Sequence, residues 1–123
     1  MNCLCTNLFC QTQAELNEES GKKYLKVDKE LNDIYRNILK DYKDDTTFIK
    51  NLQISQRIWI QFRDAELKMK YPERELGVYG SIQILCESMY LTDLTQSRIN
   101  SLKTWIVGVE EGDACSGSIK RKE

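Results

Sequence analysis

With 41% hydrophobic and 30% charged side chains in 123 residues, the chain has the length and balance of one folded domain around a single core, not of a disordered segment. Its 18 basic and 19 acidic residues leave a net charge of −1, so no basic field draws it to nucleic acid, and the absence of histidine removes the usual general base, zinc ligand and pH switch. One proline and six glycines leave long stretches unpunctuated, which predicts helices.

Met1 to Cys10, MNCLCTNLFC, is uncharged and half apolar, like the end of a secretory signal whose basic start and most of whose apolar core are missing. Residues 1–11 are therefore read as the remnant of an export signal or a disordered leader. Cys3, Cys5 and Cys10 have neither a histidine nor a nearby fourth ligand to complete a metal site, and no cofactor is expected. No segment reaches the roughly 18 consecutive apolar residues that cross a bilayer.

Thr12-Gln13-Ala14-Glu15 forms a capping box, so a helix should begin there, with Gly21 a candidate interruption after a short N-terminal turn. Beyond it Tyr24, Val27, Leu31, Ile34, Tyr35, Ile38 and Tyr42 make one apolar stripe at helical period. Asp28 and Asn32 lie one turn apart beside that stripe, where aliphatic residues would be ordinary, and are candidates to meet Arg57 or Arg63 across an interface. The run Tyr42 to Thr47 is a turn, with Asp45, Thr46 or Thr47 able to cap the next helix. So short a connection makes the first two helices antiparallel neighbours.

The second helix contains Leu52 to Ala65, LQISQRIWIQFRDA, and should stop before Pro72. Leu52, Gln56, Trp59, Arg63 and Glu66 share one face, Ile54, Ile58 and Ala65 another, and Ile60 and Phe62 fill the sides. A helix apolar on more than one face is normally clamped between two partners, so this one is expected at the centre of the bundle. Gln56 and Arg63 flank Trp59 and need partners once buried; the seam is either a structural hydrogen-bond network or a ligand surface. An enzyme could use Asp64 with Arg63 or Glu66, but nothing supplies a nucleophile, a phosphate cradle or a metal, and no catalytic activity is expected.

Tyr71 to Gly80, YPERELGVYG, is the one long connection, either a functional loop carrying Glu73 and Glu75 or the link the bundle needs. Ser81 can cap a third helix with Ile82, Leu85, Met89, Thr92, Ile99, Leu102 and Ile106 on its buried side, and Thr95 and Arg98 beside them could join Gln56, Tyr35 and Arg63 in one network. Gly108 ends that helix. The acidic Gly/Ser tail 108–123 carries Glu110, Glu111 and Asp113, and a Cys86–Cys115 disulfide would fold it back along the third helix, the alternative being two free thiols. The expected fold is all-α: a small antiparallel bundle of three main helices within residues 12–107, followed by an irregular tail.

Taken together, Thr12-Gln13-Ala14-Glu15-Leu16-Asn17, Asp28-x-x-Leu31-Asn32-x-x-Tyr35, Gln56-Arg57-x-Trp59-x-x-Phe62-Arg63-Asp64-Ala65, Gly80-Ser81-Ile82 and Leu91-Thr92-x-Leu94-Thr95-x-x-Arg98 resemble the LprI-like lysozyme inhibitor N-terminal domain family, in order and spacing, from Thr12 to about Leu102. The resemblance implies an exported bacterial helical domain, periplasmic, secreted or lipid-anchored, that binds a protein partner. The family name implies lysozyme as that partner; the other reading is an accessory domain of the cell envelope. Against a cationic glycosidase, Glu110, Glu111 and Asp113, or Glu73 and Glu75, are the acidic loops on offer. Relatives often carry cysteines where Glu19, Leu67 and Tyr90 stand here, so an apolar Leu67–Tyr90 contact is expected to replace one bridge, with Cys86 and Cys115 as this chain's own staple.

Overall fold

The computed structural model describes residues 12–74 and 77–122; residues 1–11, read above as an export-signal remnant or leader, and Glu75, Leu76 and Glu123 lie outside them. Three helices follow one another, α1 (Gln13–Asp41), α2 (Thr46–Lys70) and α3 (Gln83–Val107), and none of the described helices is long and apolar enough to cross a membrane.

Thr12 caps α1, its hydroxyl accepting from the Glu15 amide at 3.1 Å. The expected interruption at Gly21 does not occur: the 29-residue helix runs straight through it, so there is no separate N-terminal turn. A glycine inside a helix costs about 1 kcal/mol, less than the packing on either side returns. Asp45 caps α2 by accepting from the Phe48 amide at 3.0 Å, and α2 ends at Lys70, short of Pro72. Ser81 does not cap α3. Gly80, at φ +78°, turns the chain, its carbonyl takes the Gln83 amide at 3.4 Å, and Ser81 is left inside that turn with Ile82 as the first cap residue.

The hairpin of α1 and α2 is antiparallel, with Tyr42 beside Phe48 (ring centroids 4.9 Å apart) at one end and Asp28 beside Arg63 (3.6 Å) towards the other. α3 returns antiparallel to α2 and parallel to α1, which sets Trp105 against both Phe48 and Tyr42. The core comprises Val27, Leu31, Ile34, Ile38 and Tyr42 from α1, Leu52 from α2, and Ile99 and Leu102 from α3.

Here the structure departs from the expectation that α2 is the clamped, central helix. α3 is the helix that approaches both others, and its backbone comes closest to that of α1 because its buried stripe includes the small Thr92 and Thr95. α2 buries only Leu52 and Gln56, while Ile54, Ile58, Ile60, Phe62 and Met69 remain exposed. A single core needs one stripe from each helix, and the inward stripe of α2 carries Gln56 and Arg63, whose long polar side chains hold the helix outward. The stripe of α3 is likewise shorter than expected, with Ile82, Met89 and Ile106 exposed.

After Gly108 the tail folds onto the end of the bundle. The Val109 amide donates to the Lys120 carbonyl (3.0 Å) and the Lys122 amide to the Val109 carbonyl (2.9 Å). Tyr42 anchors this return, donating its hydroxyl to the Trp105 carbonyl (2.7 Å) and accepting from the Lys120 amide (3.0 Å), and Trp105 Nε1 donates to Ser118 Oγ at 3.1 Å.

Candidate functional site

The polar residues of the second helix fall into two clusters and a groove. In the first cluster Arg63 lies with its guanidinium carbon 5.5 Å from the centroid of the half-buried Trp59 ring, its Nε donates to Asp64 at 3.0 Å, and an Nη faces Asp28 of α1 at 3.6 Å. The Arg63 side chain is 16% exposed, so these contacts are partly shielded from water. Tyr24 packs nearby, where burial pushes its hydroxyl pKa up and the Arg63 charge opposes that rise.

In the second cluster Arg98 of α3 donates from Nε to Gln56 Oε1 at 3.0 Å and from an Nη to Ser55 Oγ at 3.2 Å, and its burial lowers its pKa. Thr95, one turn away on α3, is fully buried, and its hydroxyl has no hydrogen-bond partner among the described residues. It joins neither cluster. The single network read from the sequence is thus divided, because Arg63 faces α1 and Arg98 faces α2 at different levels of the bundle.

Asn32, Tyr35 and Arg57 meet neither cluster. They line a groove of about 420 Å³ between α1 and α2, together with Gln53, Gln56 and Ile60. Gln53 was not singled out in the sequence, although its place three residues before Gln56 and four before Arg57 puts all three on one helical edge.

The acidic loops stand at opposite ends of the bundle. Glu73 is exposed beside Arg74 in the 71–82 connection, where Tyr79 donates to the Pro72 carbonyl at 2.7 Å and its ring meets Tyr71 edge-on; Glu75 lies outside the described residues. At the other end Glu110 pairs with Lys122 at 2.9 Å, Asp113 accepts from the Cys115 amide at 2.9 Å, and Glu111 is exposed. With Arg121 donating to the Glu110 carbonyl as well, the tail is internally compensated and not an acidic prong.

Along the outside of α2, Ile54, Ile58, Phe62, Ala65 and Met69 follow one another at three- and four-residue steps and make one exposed apolar stripe. Large unpartnered apolar surface of this kind marks interaction sites. One family model describes most of the chain: the model for the lysozyme inhibitor LprI matches residues 5–102. The chain belongs to the LprI lysozyme inhibitor family. No curated protein and no solved structure matches it.

The LprI match runs through α1, α2 and most of α3, and the compensated tail lies beyond it. At the level where the resemblance places a bridge in LprI relatives, Tyr90 of α3 donates its hydroxyl to Glu66 of α2 at 3.0 Å, and the Lys70 ammonium stands 4.2 Å from the Tyr90 ring. The Glu66 carboxylate raises the Tyr90 pKa. Cys86 and Cys115 form no bridge in this LprI domain, and both are free thiols. Cys86 sits near the start of α3 and Cys115 beyond its end, roughly 30 Å of helix apart, whereas a disulfide needs Cα atoms within about 7 Å. The tail is pinned by Tyr42 and Trp105 instead.

Proposed function

We propose that this protein is an exported lysozyme-binding module and that it meets its partner through the outer face of α2. The observation that carries this reading is the stripe of Ile54, Ile58, Phe62 and Met69, with Ile58 58% and Phe62 48% exposed in a family whose name is lysozyme inhibitor. The helix backbone is already ordered before docking, and a few apolar anchors ringed by polar residues supply most of the energy of a protein interface. The tail acids support the interface less well, since Glu110 and Asp113 already have partners.

The test is titration of the protein into c-type, g-type and i-type lysozymes, following direct binding and cell-wall lysis. The expected result is binding of at least one class with loss of lysis, weakened about 30-fold or more by Ile58→Asp or Phe62→Asp while helicity is unchanged. If the double change Glu110→Gln, Glu111→Gln abolishes inhibition and Phe62→Asp leaves it intact, the contact is the tail and not α2.

A further inference from the structure

The groove between α1 and α2 has a different chemistry from the apolar stripe and lies along another edge of the same helix. Its lining is three carboxamides (Asn32, Gln53 and Gln56), one guanidinium (Arg57), a half-buried tyrosine and an isoleucine, with no acidic residue. Gln56 is only 6% exposed, and its Oε1 is held from the far side by Arg98. Its amide NH₂ is thereby left to the groove, with no acceptor among the described residues. Arg57 likewise has no ion pair or hydrogen bond among the described residues, so its charge is left to the groove.

A donor-rich recess with one unneutralised cation selects a ligand that is rich in acceptors and carries one negative charge. The carboxamides can also accept from hydroxyl groups, and the Tyr35 ring and Ile60 give an apolar wall against which the C–H face of a sugar packs. We infer that this groove binds a carboxylate-bearing, N-acetylated saccharide unit, with the carboxylate on Arg57 and the ring hydroxyl and acetamido groups on Asn32, Gln53 and Gln56. The groove is open, so affinity is modest, with a dissociation constant of about 1 mM. This assignment stands independently of lysozyme binding.

The test uses the full chain, ¹⁵N-labelled, titrated with N-acetylmuramic acid, with N-acetylglucosamine and with lactate. The expected result is movement of the Arg57 and Gln53 amide signals and the Gln56 side-chain NH₂ signal with N-acetylmuramic acid, at an affinity about tenfold above that for either single-feature probe. Arg57→Gln should remove that preference. Asn32→Ala, at an exposed position, should weaken the sugar component while leaving the preference for the acid. Equal affinity for N-acetylglucosamine, equal affinity for lactate, unmoved groove signals, or an unaltered titration in Arg57→Gln each overturns the assignment.

Discussion

Arg98 reaches from α3 to α2 and donates to Gln56 Oε1 at 3.0 Å, so the one polar side chain that α2 buries is tied across the helix interface. Removing Arg98 leaves the buried Gln56 Oε1 unpaired, and removing Gln56 leaves Arg98 only its bond to Ser55, at roughly 1–3 kcal/mol. Gln56→Ala and Arg98→Ala should each lower the urea midpoint, and the double variant should lose less than their sum by about 0.5–2 kcal/mol. Strict additivity would mean that the pair contributes nothing beyond its separate packing.

Thr95 presents the opposite case. Its hydroxyl is buried without a partner among the described residues, and an unsatisfied buried hydroxyl costs about 1–3 kcal/mol. Thr95→Val keeps the shape and removes the polar atom. It should therefore raise the melting temperature by several degrees, about 1 kcal/mol of stability, and a fall would show that the hydroxyl is hydrogen-bonded in solution.

The contrast between α1 and α2 can be measured with two isoleucines. Ile38 is fully buried and Ile58 is 58% exposed. Ile38→Ala should cost roughly 2–5 kcal/mol through a cavity, and Ile58→Ala no more than about 0.5 kcal/mol. Comparable losses by thermal melting would restore α2 to the centre of the bundle.

Docking of the tail depends on Tyr42 and Gly108. A Cβ at Gly108, where φ is +83°, would stand 2.8 Å from the Lys120 carbonyl oxygen, in a backbone region that side chains rarely enter. Gly108→Ala should release the segment after Val107 to proteolysis at a loss of about 1 kcal/mol or more. Tyr42→Phe, which removes the bonds to Trp105 and Lys120, should do the same at roughly 1–3 kcal/mol. Limited proteolysis with mass determination distinguishes local release from global unfolding.

Alkaline pH tests the Tyr90–Glu66 bond. Its acceptor, the Glu66 carboxylate, holds the Tyr90 pKa above the ordinary 10.0, because ionising the phenol would remove the donated proton and set two anions together. A pKa raised by folding means that the contribution is fully present below 10.0 and is lost as pH rises through the higher folded value. The melting temperature should accordingly fall on that side of neutrality, and Tyr90→Phe should flatten part of the fall. An identical alkaline profile in the variant would show that the bond contributes no measurable linkage.

The three main helices, the ends of the first two and their antiparallel hairpin were legible in local chemistry, though not the start of α3: the caps Thr12 and Asp45, the stop before Pro72 and the stripe from Val27 to Tyr42 each depend on residues within a turn or two of one another. Which face of α2 turns inward was not. Apolar identity says that Ile54, Ile58 and Phe62 could be buried, but a single core has room for one stripe per helix, and α1 with α3 fills most of it. The candidate site follows the same division. Sequence spacing put Gln56, Arg57, Trp59 and Arg63 on one helix, and helical geometry alone made them neighbours. Only the tertiary structure decided that Arg63 turns to Asp28, that Gln56 turns to Arg98, and that Arg57 has no partner among the described residues on its groove, because those choices rest on which side chains from distant parts of the chain come within hydrogen-bonding reach.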